Sequence, residues 1–185
     1  MKNVLDYLTW EHVELGVRIT GCDKSFEGSM VIPDHINGVA VVKIGAKAFV
    51  NCEKITSVAL PDTVEVVGAG AFCKCEKLKE LRLGTGIKKI EKYAFRSCYS
   101  LKSVEIPGSV EVVGEHAFAW CGKLEELRLG KGIKKIDKCA FMFCSSLRRV
   151  FLPSTLEECA REAFDESVDL IVDDDTLSND DDARL

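Results

Sequence analysis

The dipeptide Ala-Phe begins at residues 48, 71, 94, 117, 140 and 163, always 23 residues apart. Strict self-similarity of this kind constrains the fold more than any other feature, because it implies one structural unit stacked on copies of itself. The rest of the unit keeps the same step. Cysteine recurs at 52, 75, 98, 121 and 144. Apolar residues follow at Ile55, Leu78, Leu101, Leu124 and Leu147, then at Val58, Leu81, Val104, Leu127 and Val150. A third apolar column is Leu60, Leu83, Ile106, Leu129 and Leu152, and Pro61, Gly84, Pro107, Gly130 and Pro153 come next.

One rung therefore reads A-F-x-x-C-x-x-L-x-x-L-x-L-[PG]-x-x-V-x-x-V. The L-x-x-L-x-L segment suits a short strand with its apolar residues turned inward. Pro cannot donate to a ladder and Gly permits a turn, so either one ends the strand. A second extended piece follows, with Val64/Val67, Ile87/Ile90, Val110/Val113 and Ile133/Ile136 facing in. The A-F-x-x-C stretch fits a short helical or 3-10 turn that plugs the end of each coil with Phe. A single rung cannot bury its apolar side, whereas stacked rungs bury theirs together. The expected fold is a mostly β repeat solenoid.

The N-terminal stretch VIPDHINGVAVVKIGAKAF repeats the pattern with an insertion: Pro33 to Gly45 is 12 steps where Pro61 to Gly68 is 7. The added residues around Ile36, Asn37 and Gly38 read as a turn. The expected organisation is a single solenoid over 1–168, with an N-terminal cap at 1–30 and a degenerate first rung at 31–47. Five regular rungs cover 48–162, a closing piece covers 163–172, and an acidic, disordered tail covers 173–185.

A 46-residue period overlies the first. Rungs ending in Pro carry V-E-V-V-G at 64–68 and 110–114, and rungs ending in Gly carry I-K-K-I at 87–90 and 133–136. One column then reads Glu65, Lys88, Glu111, Lys134, Glu157, and the strand face shows Arg82, Glu105, Arg128. Rungs about 4.8 Å apart make alternating charges attractive where like charges would repel. Exposed pairs contribute roughly 0–1 kcal/mol each, so their expected role is register and solubility.

Of the formal net charge of −5, the segment 169–185 carries seven Asp against one Arg, which leaves the body at +1. Such a body has no electrostatic footprint for nucleic acid or an anionic membrane. The start MKNVLDYLTWEHVELG meets Asp6, Glu11 and Glu14 before any apolar run of signal-peptide length, and no segment approaches a membrane span. The chain as given therefore reads as cytoplasmic with free cysteines, and as a surface or secreted protein if a leader was removed. The odd count of nine cysteines argues against a closed disulfide framework.

The consensus A-F-x-x-C-x-x-L-x-x-L-x-L-P-x-x-V-x-x-I-G resembles the BspA-like (Treponema pallidum type) leucine-rich repeat family. VRITG at 17–21, the stretch 31–49 and five later rungs carry the likeness, over roughly 17–165. The resemblance implies a right-handed leucine-rich-repeat superhelix with a parallel sheet on one face. It also implies a binding role, often at bacterial or protist cell surfaces, and it brings no catalytic residues.

Candidate chemistry is sparse. The cysteine file Cys52, Cys75, Cys98, Cys121 and Cys144 does not converge on a tetrahedron and contains no C-x2-C pair. It reads as small buried thiols filling an internal column. Cys159 falls in the core column of Val67, Ile90, Val113 and Ile136, while Cys73 and Cys139 take variable, more exposed positions and are the expected reactive thiols. His12, His35 and His116 form no triad. The G-T-G and G-K-G clusters lack the spacing of a phosphate loop, and the tail aspartates lack the glycine and distal Glu of a calcium loop. Neither a catalytic residue, a cofactor site nor a metal site is expected.

The expected function is that of a non-enzymatic, protein-binding scaffold using the strand face. Arg82, Glu105, Arg128, Arg148, Arg149 and Phe151 would meet the partner there, flanked by Lys79, Lys102 and Glu125. Trp120 and Phe143 share one variable column and form a second candidate patch unless the C-terminal cap covers them. Cell-surface adhesion, a redox response through exposed cysteines, and weak dimerisation through open sheet edges are the alternatives.

Overall fold

A computed structural model of the chain describes residues 3–172, so the acidic stretch 173–185 lies outside the described residues. Within them the 23-residue period is a β-solenoid with parallel pairing from rung to rung and a single 3-10 turn, Val4–Tyr7.

Each rung places strands on two faces. On one, the V-x-x-V pieces pair in register: Lys43 with Val66, Val66 with Lys89, Val112 with Lys89 and Lys135, and Lys135 with Glu158. These short strands, from Val39–Ile44 to Glu158–Cys159, form the longest sheet. Backbone bonds outside the formal strands extend it, Lys88 N–H to Glu65 and Glu111 N–H to Lys88, each at 2.8 Å. On the other face the L-x-L strands fall into three groups: Gly28–Val31 with Ile55–Ala59 and Glu80–Arg82; Ser103–Ile106 with Glu126–Leu129; Arg149–Leu152 with Asp169–Val172. The strand face expected from L-x-x-L-x-L thus carries its sheet in pieces.

The breaks follow the 46-residue period, although a Pro at this position does not by itself break the face, since Ile55–Ala59, before Pro61, stays paired with Gly28–Val31. Where a Pro rung is followed by a Gly rung, the Gly130 N–H donates to Ile106 O at 2.8 Å. Where a Gly rung is followed by a Pro rung, the same donor position holds Pro107 or Pro153, which has no N–H to give. Both breaks fall at such steps.

The A-F-x-x-C stretch is neither helical nor 3-10. It is a chain of turns in which two residues per rung, four apart, have left-handed backbone: Lys47 and Asn51, Tyr93 and Ser97, His116 and Trp120, Cys139 and Phe143, with φ between 54° and 66°. Alternate N–H groups bond within the turn and up to the next rung. Ala48 and Val50 donate to Gly45 and Lys47, whereas Lys47, Phe49 and Asn51 donate to Ala69, Ala71 and Cys73. This alternation satisfies the backbone without a helix and makes a third inter-rung contact line.

Inside, Phe49, Phe72, Phe95, Phe118, Phe141 and Phe164 stack in one file with centroids 4.6–5.3 Å apart and planes within 14° of parallel. The cysteine file beside it is buried. Its thiols also do something the spacing did not reveal. Cys75, Cys98, Cys121 and Cys144 donate to the carbonyls of Phe49, Phe72, Phe95 and Phe118 at 3.2–3.4 Å. Each such carbonyl already accepts the N–H of its own rung's cysteine, so the thiol above fills its second lone pair. Burial, with the neighbouring thiols of the file adding to it, raises the pKa values of Cys75, Cys98 and Cys121 above the ordinary thiol and keeps them protonated. Cys159, expected in the core, is half-buried because its strand is the last of the long sheet.

At the N-terminal end, Leu8–Val13 pairs antiparallel with Gly16–Cys22, which then pairs in parallel with Val39–Ile44. Parallel stacking therefore reaches back to Val17, inside the stretch expected as a cap. The insertion forms a hairpin between His35–Ile36 and Val39–Ile44 through Asn37 and Gly38, both at positive φ, as Asn-Gly turns require. At the other end Asp169–Val172 adds a strand beside Arg149–Leu152. Among the described residues no helix is long and apolar enough to cross a membrane.

Candidate functional site

Parallel register turns sequence columns into rows of side chains. Glu105 lies opposite Arg128, Ala59 opposite Arg82, and Phe151 opposite Ile171. Arg82, Glu105, Arg128 and Phe151 all point outward and are exposed, Phe151 at 54%. The opposed charges of this face are not spent on one another: among the described residues Arg82, Glu105 and Arg128 make no ion pair within 4 Å.

Several charges elsewhere are engaged. On the long-sheet face Lys134 meets Glu111 at 3.4 Å, and Lys135 meets both Glu158 at 3.1 Å and Asp137 at 3.3 Å. Arg149 reaches Asp169 at 3.2 Å. Arg148 donates to the Ser145 carbonyl at 2.7 Å. The six strand-face residues singled out from sequence therefore divide. Arg82, Glu105, Arg128 and Phe151 form an open column, and Arg148 and Arg149 are held by the C-terminal rungs.

Trp120 and Phe143 sit apart from that column, on the turn edge. Their rings stack with centroids 4.2 Å apart, and they are 42% and 48% exposed. The described part of the C-terminal closing piece does not cover them. It walls them instead: Asp165, Glu166 and Ser167 line a groove of about 450 Å³ together with Tyr99, Trp120 and Phe143. Tyr99, Asp165 and Glu166 were not singled out from sequence. Tyr99 shares a column with Glu53, Glu76, Gly122 and Ser145, and a lone aromatic in a polar column is a weak signal.

Trp120 and Phe143 hold φ of 66° and 61°. A left-handed backbone costs a residue with a Cβ about 1–2 kcal/mol, and their aromatic stacking returns about 0.5–1.5 kcal/mol. The two nearly cancel. We expect Trp120→Asn and Phe143→Asn to change unfolding free energy by less than about 1 kcal/mol, measured by urea titration. A loss of more than about 2 kcal/mol would make the pair structural.

Cys73 and Cys139, the expected reactive thiols, are half-exposed on the same edge. Burial raises the Cys73 pKa, which disfavours its thiolate. Among the described residues no cluster of three or more His, Cys, Asp or Glu is arranged to hold a metal ion.

A family model described as the BspA type leucine-rich repeat region matches residues 42–171 in six copies. Among solved structures, a leucine-rich repeat protein of T. pallidum is similar with 29% identity and a TM-score of 0.78, covering 92% of this chain and 86% of that one. A leucine-rich repeat protein from Bacteroides ovatus has 26% identity and a TM-score of 0.64, over 92% of this chain and 53% of its own. A leucine-rich cell surface protein from Faecalibacterium prausnitzii has 22% identity and a TM-score of 0.70, over 89% and 52%. The chain thus spans about half the length of the last two. No protein of curated function matches. Six family copies over more than two thirds of the chain, on a solenoid of matching architecture, place it plainly: the chain belongs to the BspA-type leucine-rich repeat family.

Proposed function

We propose that this leucine-rich repeat scaffold is non-enzymatic and binds a protein partner across its strand face, through Arg82, Glu105, Arg128 and Phe151. The observation that carries this reading is the contrast in charge use. Among the described residues Arg82, Glu105 and Arg128, one 23-residue period apart, enter no ion pair within 4 Å, while Lys134, Lys135 and Arg149 do. An exposed aromatic ends the column, and aromatic and Arg anchors dominate interfaces. The scaffold holds these groups on rigid strands, so little ordering cost is met on binding.

The test is affinity capture from lysate and from extracellular extract, with wild type beside the Arg82→Glu/Arg128→Glu double variant. Both positions are exposed, so stability should shift by no more than about 0.5 kcal/mol each. The expected result is a partner retained by wild type and lost by the variant. Equal retention by both would remove the strand face from consideration. Loss on Trp120→Asn instead would move the site to the turn-edge groove.

A second reading, attachment at a cell surface, is favoured by the likeness to the F. prausnitzii cell surface protein. Fractionation of the native organism separates the two: recovery in the surface fraction supports attachment, and recovery only in the cytosol rejects it.

A further inference from the structure

The turn-edge groove opens because one column loses its side chain. Tyr99, Gly122 and Ser145 hold the same position in successive rungs, and Gly122 puts nothing between the exposed Tyr99 ring and Ser145. Neither torsion nor packing requires glycine there. Gly122 is not among the glycines with positive φ, and an added Cβ would meet nothing nearer than the Ser145 hydroxyl at 3.6 Å. The missing side chain leaves room beside the stacked Trp120 and Phe143 rings. That room is the groove of about 450 Å³.

What borders the groove favours a cation. Aromatic rings are electron-rich on their faces and attract an ammonium or guanidinium within about 6 Å. Asp165 and Glu166 add two carboxylates. Neither enters an ion pair within 4 Å among the described residues. No lysine or arginine is in the lining. Arg148 is held outside it, its guanidinium donating to the Ser145 carbonyl at 2.7 Å. The negative charge of the wall is thus left for a group from elsewhere.

We propose that this groove receives an arginine side chain from an extended segment of a partner protein, stacked against the Trp120–Phe143 pair with its N–H groups on the Asp165 and Glu166 carboxylates. A planar guanidinium does both at once. It stacks on rings and gives parallel N–H bonds to a carboxylate, whereas an ammonium is a compact, strongly hydrated point charge. The volume also fits more than a lone small cation, since sites for ligands of several linked groups span roughly 300–1,000 Å³. The backbone flanking the arginine lies along Gly122 and Ser145. The groove is separate from the strand-face column, so failure of either site leaves the other standing.

The test titrates the isotope-labelled native chain with the peptide acetyl-Gly-Gly-Arg-Gly-Gly-amide, followed by amide and indole NMR. The control peptide carries citrulline in place of arginine, which keeps the shape and removes the charge. The chain has two tryptophans, Trp10 in the strand Leu8–Val13 and Trp120 in the groove, so each gives its own indole signal. The arginine peptide should shift the Trp120 indole and Gly122 amide signals saturably and leave Trp10 in place. The citrulline peptide should shift neither. Asp165→Asn/Glu166→Gln should weaken binding roughly tenfold by removing the charge-assisted bonds. Gly122→Leu should fill the groove and abolish binding, with the unchanged remainder of the spectrum reporting an intact fold. Arg82→Glu/Arg128→Glu should bind the peptide as wild type does. No shift with the arginine peptide, equal shifts with the citrulline peptide, or full affinity in the carboxylate variant would overturn the proposal. So would saturable shifts with cellobiose alone, which would make the rings a platform for a saccharide.

Discussion

Phe95→Ala should lose about 3–5 kcal/mol of unfolding free energy, the range for emptying a buried Phe site. Phe95 is fully buried and stacks on Phe72 at 5.2 Å and Phe118 at 5.0 Å. Its ring is a plug shared by two interfaces, so both neighbours lose contacts at once. Solenoid stability is close to a sum of rung and nearest-neighbour terms, so the variant should also unfold in two steps, one for each side of the break. Urea titration followed by amide exchange reads both effects. A loss below about 1.5 kcal/mol, the scale of a conservative core change, would mean that the file packs loosely and the rungs stand alone.

Gly132→Ala is expected to be nearly as damaging, for a different reason. Gly132 is not among the glycines with positive φ, so the cost is space and not torsion. A Cβ there would stand 1.7 Å from the Gly108 carbonyl oxygen, and one on Gly130 would stand 2.2 Å from the Gly108 nitrogen. Both contacts are to backbone, so two rungs must part to admit a methyl group. Overpacking of this kind costs about 1–3 kcal/mol, occasionally more. Gly122→Ala is the control, because its nearest neighbour is the Ser145 hydroxyl at 3.6 Å and its cost should be under about 1 kcal/mol. Equal melting temperatures for the two variants would refute the steric account.

The same geometry gives the 46-residue period its physical content. Gly84 and Gly86 meet Pro61 and Asp62 as Gly130 and Gly132 meet the turn after Pro107: added Cβ atoms would lie 2.2 Å from the Pro61 oxygen and 1.9 Å from the Asp62 oxygen. Asp62 also accepts the Thr85 N–H at 2.8 Å. Gly-rung turns nest against Pro-rung turns. The charge alternation was readable from the columns, but this nesting was not, because a column shows which residues stack and not how closely their backbones approach.

Much of the fold was legible in the sequence, since in an in-register parallel stack each residue's main neighbours are its own equivalents one period away. That rule placed the Phe and Cys files inside, the strand-face column Arg82, Glu105, Arg128 and Phe151 outside, and Trp120 beside Phe143. It failed where the period breaks. The first turn is two steps short, so Phe26 leaves the Phe file for Tyr7 and Lys24 reaches the Cys52 sulfur, which a strict count of 23 does not predict. Near the C-terminal end Asp165 and Glu166 wall the aromatic groove, although their columns gave no sign of it.

The sequence by itself determined the rung, its inward columns and the membership in a repeat family, because repetition makes a local pattern into a global contact map. Only the tertiary structure decided which side carries the continuous ladder, that the Ala-Phe turn is left-handed at two positions per rung, and which charges stay unpaired. Those outcomes depend on where each N–H finds an acceptor and how far each long side chain reaches, and both are set by the stacking of rungs rather than by any one of them.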